Sequence, residues 1–155
     1  MISLALITSL GYFGVFLISL ISTSTLFLPI PIYAIITFSS TLGLNPFLVA
    51  LFSGLGMALG EITGYLVGLG GGSIILRKNK KLIRKFEFFF KRFGFITISF
   101  FAFIPFPFDI IGILAGVGRY DLKKFLLATF IGKFFKALFL SLFGFLIRDL
   151  LVVIF

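Results

Sequence analysis

Phe101-Ala102-Phe103-Ile104-Pro105-Phe106-Pro107-Phe108-Asp109-Ile110-Ile111-Gly112-Ile113-Leu114-Ala115-Gly116 is as apolar as a membrane span, yet it carries two prolines and an aspartate. Each proline removes a backbone donor and clashes with the preceding helical turn, so a straight helix through Pro105 and Pro107 is not expected. In hydrocarbon, broken backbone survives only where protein or a water-lined cavity covers it. An ionisable group at that depth, here Asp109, marks a functional site by default. The stretch therefore reads as the core of a re-entrant hairpin over residues 94–118, with Pro105 and Pro107 at its tip.

The rest of the chain fits that setting. It has 155 residues, 60% hydrophobic and only 12% charged, with a mean hydropathy of +1.25. Too few polar residues exist to cover a soluble globule, so the chain is expected to be an integral membrane protein. At about 20 residues per span, the length allows roughly four or five embedded segments in a single membrane domain, 1–155. The net charge of +9 is placed for a membrane and not for nucleic acid: no Lys or Arg precedes Arg77, and eight of the fourteen lie between Arg77 and Arg92. That asymmetry assigns loop 77–92 to the cytoplasmic side of a multi-pass cell-membrane protein. Without Cys or His, thiol and imidazole chemistry and the usual zinc ligands are missing. No cofactor, metal or catalytic residue is expected, and the chain does not read as an enzyme.

In chain order, residues 4–21 form a retained apolar helix, not a signal peptide, and Ser22 to Thr25 a polar break. Residues 26–42 hold Pro29 and Pro31 and read as a first re-entrant hairpin. Asn45-Pro46 gives an N-cap followed by proline at the first helical position. A spanning helix follows over 46–69, with Gly56, Gly60, Gly64 and Gly68 on one stripe suited to close backbone packing. The Gly70-Gly71-Gly72-Ser73 run ends it. Glu61 lies beside the stripe, a neutral donor or proton carrier, and Tyr65 one turn on is within reach of its carboxyl group. Residues 77–93 read as an amphipathic helix on the anionic cytoplasmic leaflet. Arg119 belongs to a short polar return after the second hairpin, Asp121 is an N-cap, and residues 122–147 form the last spanning helix. Lys133 and Lys136 share a face inside it, Lys136 about 20 Å along at about 1.5 Å per residue.

An offset of 76 residues superposes Phe27-Leu28-Pro29-Ile30-Pro31 on Phe103-Ile104-Pro105-Phe106-Pro107. It also pairs Asn45 with Asp121, Gly56 with Gly132 and Gly68 with Gly144. Each unit is a broken hairpin followed by a spanning helix. With the basic loop between them, the two units enter from opposite sides. The expected fold is all-α, an inverted repeat with its site near the midplane.

Gly60-Glu61-Ile62-Thr63-Gly64-Tyr65-Leu66-Val67-Gly68 resembles the Gly-Asp/Glu-x-x-Gly-Tyr-x-x-Gly signature of the DedA proteins, the VTT or SNARE-associated Golgi protein superfamily. Phe103-Ile104-Pro105, then Ala115-Gly116 and Phe125, resembles its second motif. The resemblance spans roughly Leu26 to Gly144 and implies two inverted re-entrant hairpins and movement of phospholipids or lipid-phosphate carriers between leaflets. Bacterial members usually carry arginines where this chain has Ala102 and Phe108, and an acid where it has Ile32 or Tyr33. The double-proline hairpins are closer to archaeal and eukaryotic branches, whose implied activity is scrambling.

The leading expectation is a lipid translocase or scramblase in which Glu61, Asp109, Lys133, Lys136, Tyr65 and Arg119 line a headgroup or proton pathway. Its partners are then membrane lipids, anionic headgroups in particular, and self-association is compatible with the sequence. The alternatives are a proton- or ion-coupled small-solute transporter, and a non-transporting scaffold whose charges pair internally or snorkel.

Overall fold

The computed structural model describes residues 10–25, 31–75, 80–104 and 107–154. Pro29 and Pro105 lie outside them, so of the prolines at the two expected hairpins only Pro31 and Pro107 are described. The described residues form seven helices and no strand: α1 Tyr12–Ser24, α2 Ile32–Thr41, α3 Pro46–Gly60, α4 Ile62–Ile75, α5 Lys80–Phe103, α6 Phe108–Val117 and α7 Leu122–Ile154.

Among the described residues, two stretches are long and apolar enough to cross a bilayer. These are Pro46–Gly71, which is α3 and α4 in succession, and Leu122–Leu150 of α7, with mean hydropathies of 1.6 and 1.9. At about 1.5 Å per residue each exceeds the roughly 30 Å hydrocarbon core. Helices α2 and α6 have 10 residues each and reach about half that depth.

Polar residues that read as breaks are absorbed into helices. Helix α1 continues through Ser22, Thr23 and Ser24, whose hydroxyls donate to the carbonyls of Ile18, Ser19 and Leu20 at 2.6, 2.9 and 2.7 Å. Such back-bonding hides a hydroxyl from lipid without interrupting the helix. The described part of residues 26–42 is α2 and its C-terminal end, and the expected first arm of that hairpin, residues 26–30, lies outside the described residues. Helix α4 runs through Gly70 and Gly71 to Ile75. The separation of 77–93 from 94–118 also disappears, because α5 is continuous. Gly94 is not a boundary but a contact, since a Cβ there would meet the Tyr120 ring at 2.8 Å.

Caps fall where the sequence placed them. Asn45 Oδ1 accepts the Phe47 and Leu48 amides at 3.0 and 3.4 Å, and Asp121 Oδ1 accepts the Lys124 amide at 2.9 Å. These bonds satisfy donors that the first helical turn leaves free.

Contacts recur at the 76-residue spacing. Helices α2 and α6 begin and end 76 positions apart, each preceded by proline. The Leu42 amide bonds to Phe38 O at 3.1 Å, and the Gly118 amide to Leu114 O at 2.9 Å. Gly43 and Arg119 both have positive φ, 94° and 48°. Gly68 packs so closely that a Cβ would strike the carbonyl oxygen of Ile113, and Gly144 stands in the same relation to Thr37. Helix α6 thus lies on α4, and α2 on α7, each short helix against the spanning helix of the other unit.

The glycine stripe serves two partners. A Cβ on Gly56 would strike Phe16 O and one on Gly60 would strike Thr23 Oγ1, both in α1, whereas Gly68 receives α6. Gly64 is looser, 3.7 Å from Asp109 O at its would-be Cβ. The interior accordingly divides into two apolar clusters. One gathers Val15, Ile18, Ile32, Ile36, Val49, Met57 and Ala137, the other Tyr65, Phe90, Ile98, Phe108, Ala115 and Phe125.

Gly68→Val and Gly144→Val should each lower stability by about 1–3 kcal/mol, the usual cost of overpacking. Gly71→Ala, whose Cβ meets nothing within 4 Å among the described residues, should be neutral or slightly stabilising, since alanine favours helix. Thermal unfolding in detergent measures all three.

Candidate functional site

Helices α3 and α4 meet at Glu61, the one residue between them outside helical assignment, with φ −67° and ψ −9°. Its amide still bonds to Met57 O and its carbonyl accepts from the Tyr65 amide, at 3.1 and 3.2 Å. The hydrogen bonds of the span continue through this joint. Lys133 Nζ of α7 donates to Glu61 Oε1 at 2.8 Å, with both side chains 3% exposed. The other carboxylate oxygen, Oε2, is buried with no hydrogen-bond partner among the described residues.

One turn along α7, Lys136 is also buried. It donates to the Ile104 carbonyl at 2.6 Å and to the Tyr33 hydroxyl at 3.3 Å. Each lysine also lies over an aromatic ring at the start of a short helix. Lys133 Nζ is 4.8 Å from the Phe108 ring centre and Lys136 Nζ 5.0 Å from that of Tyr33. Such cation–π contacts strengthen when desolvated. They hold the N-terminal ends of α2 and α6 on α7, and neither end has a side-chain cap. Free amides and the helix dipole make such ends positive.

Asp109 stands in the first turn of α6, half-buried. It lies close enough for its charge to act on Glu61 and Lys133, yet among the described residues it forms no ion pair. The structure therefore gathers Glu61, Asp109, Lys133 and Lys136, as the sequence reading grouped them. Tyr65 faces elsewhere, because its hydroxyl donates to the Tyr120 carbonyl and not to Glu61. Burial, and after it the neighbouring Asp121 carboxylate, pushes the Tyr120 phenol above its usual range. Arg119 is exposed in the left-handed turn after α6.

Tyr33, Phe108 and the Ile104 carbonyl are additions that sequence reasoning did not place in the site. Signals for two of them were present: the 76-residue offset sets Tyr33 opposite Asp109, and the family comparison puts an acid at Ile32 or Tyr33 and an arginine at Phe108. A groove of about 350 Å³ opens beside Lys136, lined by Tyr33, Phe103, Ile104, Lys136, Phe139 and Leu140. Its surface is almost wholly apolar.

Helices that span by length and apolarity, packed through glycine, with an ion pair buried between them, define a helical membrane protein. Residues 28–146 match the VTT domain, and the chain belongs to that family. It is 27% identical over 135 residues to the uncharacterized protein MJ0201 of Methanocaldococcus jannaschii, covering 86% of this chain and 83% of that one. It is 34% identical over 140 residues to an alkaline phosphatase-like protein of Lactococcus lactis subsp. lactis, covering 79% of this chain. A protein of the same name in subsp. cremoris matches equally. The matches span only 64% of each lactococcal protein's length. No solved structure matches significantly.

Removing one partner of a buried ion pair strands the other charge and costs about 3–5 kcal/mol, whereas an apolar pair of similar volume is often neutral. Glu61→Met and Lys133→Met should each lower thermal stability markedly, and the double substitution should recover most of the loss. Unfolding of the three purified variants in detergent checks this; equal loss in single and double variants would contradict it.

Proposed function

We propose that the protein moves lipids between bilayer leaflets, as a translocase or scramblase of phospholipids or lipid-phosphate carriers, and converts no substrate chemically. The observation that carries the reading is the set of two buried ammonium groups at the uncapped ends of two half-depth helices. Half-helix N-termini directed at a shared centre are a recurrent means of binding anionic groups inside a membrane. An anionic headgroup passing between leaflets needs such a centre, because an unpaired charge in hydrocarbon is costly. Family membership supports the same reading.

In this reading α1–α2 and α5–α6 are the two re-entrant hairpins, and the two units are inverted. The recurrence of caps, positive-φ residues and glycine contacts at one spacing supports the repeat, and the basic residues of 77–92 support a cytoplasmic loop between units. Glu61 and Lys133 then lie near the midplane of a multi-pass cell-membrane protein. Membrane lipids with anionic headgroups are its partners, and self-association is compatible with the apolar outer faces.

The Oε2 of Glu61, buried with no hydrogen-bond partner among the described residues, favours one second reading, proton-coupled transport of a small solute. Transport that requires a pH gradient and is lost in Glu61→Gln would select it.

The test is reconstitution in liposomes with a fluorescent phospholipid and a membrane-impermeant quencher. The protein should speed exchange between leaflets. Lys136→Met should slow it about tenfold or more, the value of one hydrogen bond to a charged group. Exchange no faster than in protein-free liposomes across several lipid classes would refute the reading.

A further inference from the structure

Gly56 and Gly132 stand 76 residues apart and play the same part. A Cβ on Gly56 would strike Phe16 O, and one on Gly132 would strike Ser99 O, so α1 lies flush on α3 as α5 does on α7. One turn further on, the two units part. Gly60 keeps α1 flush, because a Cβ there would strike Thr23 Oγ1. The same offset sets Lys136 at the corresponding place on α7. A long side chain stands where a glycine would let the end of α5 settle.

Lys136 holds two helix ends there. Helix α5 stops at Phe103, and the Ile104 amide bonds back to Phe100 O at 3.1 Å. The Ile104 carbonyl, which precedes Pro105 in sequence, accepts from Lys136 Nζ at 2.6 Å. The Tyr33 hydroxyl, from the first turn of α2, accepts from the same Nζ at 3.3 Å, with the ring centre 5.0 Å away. Helices α2 and α5 both pack on α7, and this one ammonium joins their ends across the seam between them.

The two grips differ in strength. A cation is stabilised at a helix C-terminus, where free carbonyls and the dipole are negative, and opposed at an N-terminus. The Ile104 side offers the C-terminal end of α5 and a short bond. The Tyr33 side offers the uncapped N-terminal end of α2, a ring face and a bond beyond the usual N–H···O range. The weak side of the seam is therefore the contact between Lys136 and Tyr33.

The seam is also unfilled. A groove of about 350 Å³ runs along it, with Tyr33 on one side, Phe103 and Ile104 on the other and Phe139 of α7 beneath. Its surface is almost wholly apolar, because the ammonium is turned to its two oxygens. Phe103 and Phe139 are 46% and 68% exposed, so the groove opens on the outer face.

We propose that this seam is a lateral gate. Lys136 and Tyr33 form its latch, the end of α5 stays on Lys136, and the N-terminal end of α2 moves away. This deepens the lipid-moving reading by naming where a lipid passes between the two hairpins, and it rests on that reading for this use alone. The movement itself is measured without transport, so the two ideas fail separately.

The chain has no cysteine, so spin labels can be placed at chosen sites. Nitroxides on Ala34→Cys and Phe100→Cys, both exposed positions, report across the seam by double electron–electron resonance in liposomes. A second pair, Leu66→Cys and Ile110→Cys, also exposed, reports on α4 and α6, which do not border the seam. Tyr33→Phe keeps the ring and removes the hydroxyl. In the seam pair it should raise the ratio of long to short distances about tenfold, the value of one hydrogen bond to a charged group. The α4–α6 pair should keep its distribution. An unchanged seam distance in Tyr33→Phe would overturn the proposal. So would equal broadening of both pairs, since the hydroxyl would then only support the packing of the whole fold.

Discussion

The Glu61–Lys133 ion pair is the constraint on which the rest of the structure depends. Two charges buried to 3% exposure survive only with close geometry, because the desolvation of each ion is large. Close geometry requires the two long helices to approach tightly where the pair lies. Around it the backbone is small or notched: Gly54 of α3 would bring a Cβ within 3.2 Å of Phe134 Cα, next to Lys133 in sequence. The pair also falls on the boundary between the two apolar clusters. Met57 before Glu61 belongs to one and Tyr65 after it to the other. Along α7 the order reverses, with Phe125 and Ala128 in Tyr65's cluster and Ala137 in Met57's. Each long helix therefore leaves one core and enters the other at the charged centre.

That arrangement explains why the chain is rich in glycine at some helical positions and hydroxyls at others. In lipid no hydrophobic drive brings helices together, so association depends on van der Waals contact and interhelical hydrogen bonds. Gly56, Gly68, Gly132 and Gly144 supply the first by admitting backbone oxygens of a neighbouring helix. Thr23 donating to Met57 O at 3.2 Å, Ser99 to Ala128 O at 3.1 Å and Ser141 to Pro46 O at 2.9 Å supply the second.

What the sequence made legible was what lipid penalises. Prolines, caps and charges in an apolar chain have few tolerable explanations, so the caps Asn45 and Asp121 could be placed from local pattern and Glu61, Asp109, Lys133 and Lys136 singled out as candidates. Side chains with two acceptable solutions could not. Ser22 to Ser24 could end a helix or bond back to it, and they bond back. Gly94 could mark a boundary or admit a ring, and it admits Tyr120. Tyr65 could reach Glu61 along its own helix or Tyr120 across the fold, and helical spacing sees only the first. The Lys133–Glu61 pairing, 72 positions apart, is a fact of packing that local pattern does not contain.

The 76-residue spacing relates packing but not chemistry, and the difference locates the site. Caps, positive-φ turns and contact glycines occur in both units. Subtracting the offset from the site residues gives another result: Lys133 falls on Met57, Lys136 on Gly60 and Asp109 on Tyr33, while Glu61 advances onto Ala137. Met57 and Ala137 are fully buried in an apolar cluster, so one unit holds core where the other holds charge. A duplicated site would need a lysine near 57 and a carboxylate near 137, inside hydrocarbon-like packing that would have to be rebuilt around them. The fold therefore supplies two like frames and a single charged centre, with Glu61 from the first unit and Asp109 and both ammonium groups from the second. The Glu61–Lys133 pair draws one partner from each unit, and this makes the association of the two units a condition for that pair to exist.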